Sequence, residues 1–189
     1  MKIDIPISFA GQTVTIIGGG PSLKGFDFKR VADPCIAIND ACYAHHSEII
    51  VSIDASWHYK HGTYLNAYDG FLVTDRESRR KDAICIQYHG GARGENEFDE
   101  TLKAANLSGF LALAISLHLG AKKVVLLGYD GGYAEEANWY TNPNATNDEG
   151  YSNKNAYFDI FKAHDIVNVG MDSKIKSFRK VPIESNFYE

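Results

Sequence analysis

The run T-I-I-G-G-G-P-S-L, Thr15 to Leu23, decides how the chain is read. An apolar, β-branched stretch ends in three glycines, and a proline and a serine follow at once. Glycine loses more conformational freedom on folding than any other residue, so a cluster at a strand end marks a tight turn or a close backbone approach. Strand, glycine turn and helical start together make a phosphate-binding first turn, where N–H groups at the helix start attract an anion. Pro21 suits the first helical position, because its missing N–H would have had no partner there. Ser22 adds a hydroxyl donor. The dinucleotide fingerprint G-x-G-x-x-G would need a glycine at position 23, and Leu23 stands there instead. A plain strand–helix connection also fits, so the motif needs company.

Company comes from the rest of the chain. Short apolar runs recur at 14–17, 35–38, 49–53, 71–73, 83–86, 124–127 and 166–169, each closed by polar or glycine punctuation. They lack clean alternation, which suits strands covered on both faces. The run N-L-S-G-F-L-A-L-A-I-S-L-H-L-G predicts a helix from about Asn106 to Leu119, with Gly120 as its C-terminal glycine. V-V-L-L follows within a few residues, which is the second half of a crossover unit and predicts a parallel sheet. Weaker helical patterns lie at 22–32, 56–68 and 96–104. The expected fold is α/β, with about six or seven mostly parallel strands flanked by helices, in a single domain over 1–189.

Bulk properties narrow the function. A net charge of −5 argues against nucleic acid as a partner. No apolar stretch approaches the twenty or so residues of a membrane span. The opening M-K-I-D-I-P-I-S-F has neither h-region nor cleavage site, so a cytoplasmic location is expected. Cys35, Cys42 and Cys85 are scattered without C-x-x-C spacing, and read as reduced thiols rather than zinc ligands or disulfides. Oligomerisation is left open. In a parallel sheet the strand ends N-D-A-C-Y, D-A-S-W-H and G-Y-D-G-G-Y all lie on the carboxyl edge beside the glycine turn. Such folds place their sites on that edge.

With these residues in hand, the chain resembles a known group. V-T-I-I-G-G-G-P-S-L, A-I-N-D-A-C-Y, L-S-G-F-L-A-L-A-I-S-L-H-L-G-A-K-K-V-V-L-L-G-Y-D-G-G-Y and I-V-N-V-G-M-D-S-K-I-K-S-F carry the likeness. The group is the Rossmann-like superfamily of family 42 sialyltransferases, motility-associated glycosyltransferases and 6-hydroxymethylpterin pyrophosphokinases. The resemblance implies a Rossmann-like fold and a nucleotide or nucleotide-sugar ligand. It implies phosphate contacts at Gly18, Gly19, Gly20 and Ser22, a nucleotide-sugar contact at Asn39, and further nucleotide contacts at Ser108, Gly109, Gly128 and Asp130. The sialyltransferases' histidine base, downstream of the G-x-D strand, has no counterpart in the stretch from Gly131 to Tyr151.

Single residues are weighed on their own chemistry. Asp130 suits a ribose hydroxyl or a water-bridged Mg²⁺, or else a local turn. Asp54, His58 and His61 would share a face if 56–68 were one helix, as an acid–base or metal face; otherwise Asp54 caps the helix and the histidines are solvated. Asp54 and Asp130 are the catalytic candidates, and no metal ligand set is assigned. Arg93 suits a diphosphate or a plain surface loop, Tyr133 suits a phosphate or acceptor, and 76–81 is a basic run on a solvated face. The Asn- and Tyr-rich segment 133–157 is long enough to be a lid or binding loop. Three functions follow: sugar transfer from a nucleotide-activated donor, Mg²⁺-dependent pyrophosphoryl transfer from ATP to a hydroxymethyl acceptor, or a non-catalytic nucleotide- or partner-binding module.

Overall fold

The computed structural model describes residues 4–75, 82–86, 107–132 and 154–189. Its centre is an eight-stranded sheet ordered β5-β4-β3-β2-β1-β6-β7-β8. The strands are β1 Thr13–Ile17, β2 Cys35–Ile38, β3 Ile49–Val51, β4 Phe71–Thr74, β5 Ile84–Cys85, β6 Lys123–Leu127, β7 Ile166–Val169 and β8 Arg179–Val181. All neighbouring pairs run parallel. The seven apolar runs read from the sequence are the first seven strands, give or take a residue or two at their ends. An eighth corrects the expected six or seven. Arg-Lys-Val gave no apolar signal because, among the described residues, β8 is an edge strand that pairs with β7 alone and is only partly buried.

Side chains of alternate parity divide the core in two. Val14, Ile16, Ile36, Ile49 and Leu126 face one layer, with helix α3 Ser108–His118. Ile17, Ala37, Ile50 and Leu127 face the other, with Leu23, Trp57 and Leu65. Burial on both faces explains why the strands read as continuous apolar runs. Helix α3 is buried from Phe110 through Ser116, in one core layer with the strands and with Phe158 and Phe161, whose rings meet Phe110. Seven buried residues in succession are why F-L-A-L-A-I is apolar nearly all round.

The other helices depart from expectation. Residues 22–32 form two 3-10 turns, Pro21–Leu23 and Phe28–Arg30, separated by Gly25 at φ +77°. Asp27 starts the second turn by accepting from the Lys29 N–H. The 56–68 pattern is broken at His61 (φ −104°, ψ 15°) into α1 Ala55–Lys60 and α2 Gly62–Ala67. The helix expected at 96–104 lies outside the described residues. Of the 133–157 segment only 154–157 are described; from Asn155 they enter a 3-10 turn, Asn155–Phe161.

Candidate functional site at the carboxyl edge

Strand order reverses between β1 and β6, since the chain runs one way from β1 to β5 and the other way from β6 to β8. Open α/β sheets bind ligands at such a point, beyond the strands' carboxyl ends. Pairing Thr13↔Lys123 through Ile17↔Leu127 sets Gly18 beside the end of β6. There the two turns are stitched together. The Gly18 N–H donates to Leu127 O at 2.7 Å and the Gly20 N–H to Gly128 O at 2.9 Å. A Cβ on Gly18 would lie 2.8 Å from Gly128 O, and one on Gly20 would lie 2.5 Å from it. Close approach of two backbones, rather than an unusual φ, requires glycine at these two positions. Leu23, where the dinucleotide fingerprint has its last glycine, is fully buried in the core below.

Beside this seam Ser22 holds Asp130. The Ser22 N–H donates to Oδ2 at 2.8 Å and its hydroxyl to Oδ1 at 2.6 Å. The two donors of Ser22 are therefore turned on a carboxylate of the chain itself, and the N–H groups of Gly18 and Gly20 on the carbonyls of Leu127 and Gly128. Each carboxylate oxygen has a further lone pair beyond the one Ser22 uses. Asp130 is held from behind as well, because its carbonyl accepts from the Lys174 N–H at 2.7 Å. A buried network, not read from the sequence, anchors that loop. Asn168 Nδ2 and the Ser173 hydroxyl both donate to Tyr129 O, at 3.0 and 2.7 Å. The polar Asn inside I-V-N-V was its only signal.

The other expected contacts gather nearby. Asn39 ends β2 in the left-handed region at φ 51°, and its Oδ1 is enclosed without a hydrogen-bond partner among the described residues. Ser108 opens α3, and its Oγ accepts from the Ile53 N–H at 3.2 Å. Gly109 O accepts from the Tyr129 hydroxyl at 2.9 Å, and burial pushes that phenol's pKa well up. The N-terminus of α3, with its partial positive charge, thus sits at the carboxyl edge, tied to the end of β3 and to the G-Y-D turn.

Asp54, His58 and His61 do not share a face. Asp54 caps α1, accepting from Ser56 N–H at 2.9 Å and Trp57 N–H at 3.3 Å. Burial raises its pKa, but these hydrogen bonds and the nearby His58 outweigh burial and hold it below the usual value. His58 is buried, with Nε2 3.0 Å from Ser52 O. His61 turns instead toward the turn after β2. Its Nδ1 lies 2.6 Å from the Tyr43 hydroxyl and its Nε2 3.3 Å from Asp40 Oδ1. Trp57 Nε1 donates to that same Asp40 oxygen at 2.6 Å, and the Trp57 ring stacks on His61 at 4.8 Å. Sequence reading passed over this group, although Asp40 and Tyr43 stand in the quoted N-D-A-C-Y. Arg93, Tyr133 and the 76–81 run lie outside the described residues. Cys35 and Cys42 are buried free thiols and Cys85 is an exposed one.

A sheet with its order reversed at β1/β6, helical cover on both faces and polar strand ends on one edge defines a Rossmann-like α/β protein. Among solved structures the chain is similar to the sialyltransferase CstII from Campylobacter jejuni, in complex with a substrate analogue, cytidine-5'-monophosphate. The match covers 94% of this chain and 88% of that chain, with a TM-score of 0.53 and 15% identity. At that identity the likeness is one of fold. No family model and no curated protein matches the chain.

Proposed function

We propose that the chain is a nucleotide-binding transferase that moves a sugar from a nucleotide-activated donor. The observation that carries this reading is the gathering of Asp130, Ser22, Asn39, Ser108 and Gly109 along one carboxyl edge, at and beside the strand-order reversal. The fold likeness to a sialyltransferase solved with a cytidine nucleotide supports it. In this reading Asp130, already oriented by Ser22, accepts ribose hydroxyls on its remaining lone pairs. Asn39, in the turn after β2, lies against the nucleotide sugar. The start of α3 faces the phosphates, beside the turns that hold Gly18, Gly19, Gly20 and Gly128. The sugar leaves by direct displacement, and fixed donors stabilise the charge that develops on the departing phosphate. Sugar transfer is preferred over Mg²⁺-dependent pyrophosphoryl transfer because no group of three or more His, Cys, Asp or Glu side chains that could hold a metal ion occurs among the described residues.

The test is thermal stabilisation by CMP, UDP and ADP, each with and without Mg²⁺. A nucleotide at a hundred times its Kd adds about 2.7 kcal/mol, a shift of several degrees. Asn39→Gly keeps the left-handed backbone without strain and removes the side chain. It is expected to leave the unliganded Tm nearly unchanged and to abolish the shift. If no nucleotide moves the Tm of the wild-type chain, the reading fails.

A further inference from the structure

Tyr43, His61 and Asp40 stand in a row. The negative charge of Asp40, 3.3 Å from His61 Nε2, favours the proton on that nitrogen. In the neutral ring Nδ1 is then an acceptor, and the Tyr43 hydroxyl 2.6 Å away donates to it. The imidazole is pinned as well as paired. Trp57 is 6% exposed, stacks on the ring, and fixes the Asp40 oxygen with its own N–H. Tyr43, by contrast, is 52% exposed, so the outer end of the row reaches solvent.

Location adds to the geometry. The turn Asn39–Tyr43 begins at the carboxyl end of β2, next to β1, and α1 begins just beyond the end of β3. Ala41, Cys42 and Trp57 share a core layer with Leu23, which follows Ser22. The row thus lies on the same edge of the sheet as the Ser22–Asp130 contact.

We propose that Tyr43, His61 and Asp40 form an acid–base relay for the hydroxyl group of an acceptor substrate, a role that rests on the transferase reading above. The acceptor oxygen attacks the sugar carbon as the sugar–phosphate bond breaks, and the bonding pair departs with the phosphate. The acceptor's proton passes to the Tyr43 oxygen while Tyr43's own proton passes to His61 Nδ1. The imidazolium so formed is stabilised by Asp40 and later returns its proton to water. Tyr43 is the group that meets substrate; His61 and Asp40 act through it.

The relay is tested without nucleotide, so its outcome is separate from that of the binding experiment. An aryl sulfonyl fluoride forms a sulfonate ester with a phenol and expels fluoride, and peptide mapping by mass spectrometry gives the rate at each tyrosine. Exposed Tyr59 is the internal reference. Tyr43 is expected to label about a hundredfold faster than Tyr59 at neutral pH, the range general-base help provides. His61→Gln is expected to remove that advantage, Asp40→Asn to remove much of it, and Tyr43→Phe to abolish the label. The pH profile reads what a structural role would not move. Groups facing Tyr43 are Asp40, Cys42, His61 and Tyr64; those facing His61 are Asp40 and Tyr43. Burial, Cys42 and Asp40 push the Tyr43 phenol up to about 12. Acting alone, such a phenol gains rate about tenfold per pH unit up to that point. Relayed through His61, the rate departs from that tenfold rise, and His61→Gln restores it. Labelling of Tyr43 no faster than Tyr59, or a His61→Gln variant that folds and labels like the wild type, overturns the proposal.

Discussion

Alanine at position 20 separates steric from conformational demands at the β1–β6 seam. Gly20 has φ −62° and ψ 142°, which any residue adopts, so the backbone itself accepts the substitution. By removing freedom from the unfolded chain, alanine at an unstrained site would stabilise by about 0.4–1 kcal/mol. Here, however, the new methyl would lie 2.5 Å from Gly128 O and 2.6 Å from both Cγ and Oδ2 of Asp130. Neither the main-chain oxygen nor a carboxylate held by Ser22 yields without loss. Overpacking of this kind costs about 1–3 kcal/mol. Displacing Asp130 from Ser22 forfeits charge-assisted hydrogen bonds of about 1.5–3 kcal/mol more if the carboxylate is the part that moves. The net expectation is a loss of about 2 kcal/mol or more, read as a Tm lower by about 4–8 °C for a chain of this size. Gly62 is the control: a Cβ there meets nothing within 4 Å, at the first residue of α2. Gly62→Ala is expected to hold or slightly raise the Tm. Urea unfolding of both variants at neutral pH gives the free energies. A Gly20→Ala chain as stable as wild type would refute the argument that close approach, rather than ligand binding, requires that glycine.

Two other outcomes follow from charge and burial. Because hydrogen bonding holds the folded-state pKa of Asp54 below its unfolded value, its contribution is present above about pH 4 and lost as pH falls through the folded value. Asp54→Ala is expected to cost about 1 kcal/mol at pH 7, whereas Asp54→Asn retains the cap. Urea midpoints at pH 7 and pH 3 check this, and a wild-type-like pH dependence in the Asn variant would contradict it. Thiol titration with a chromogenic disulfide at pH 8 is expected to find Cys85 fast, with Cys35 and Cys42 reacting only after denaturation. Burial pushes Cys35 well up and, with Asp40 nearby and Tyr64 opposing, carries Cys42 to about 12, so its thiolate fraction at pH 8 is about one in ten thousand. Three fast thiols in the native chain would contradict it.

The sheet was legible because burial on both faces writes itself as apolar runs, and α3 because its capping glycine, Gly120 at φ +92°, stands in place. Local pattern failed where a distant partner decided the outcome. Ser22 and Asp130 are 108 residues apart, and only the adjacency of β1 and β6 joins them. Helix 56–68 looked continuous, yet the chain bends at His61, whose ring reaches a tyrosine 18 residues earlier. Asp54 was a catalytic candidate in sequence with a helix cap as the alternative, and the start of α1 directly after it shows the capping role. Short polar β8 takes its place from β7 rather than from its own residues.

The position of β6 beside β1 also bears on how the protein emerges from the ribosome. Strand β1 is made before the other strands of the sheet, and β2 through β5 assemble on one side of it in chain order. Its other side waits for β6, roughly 110 residues later. At cellular synthesis rates of about 5–20 residues per second that is on the order of ten seconds. Throughout that interval the nascent chain carries a bare apolar strand at the growing margin of its sheet, a surface that chaperones recognise and that neighbouring nascent chains can pair with.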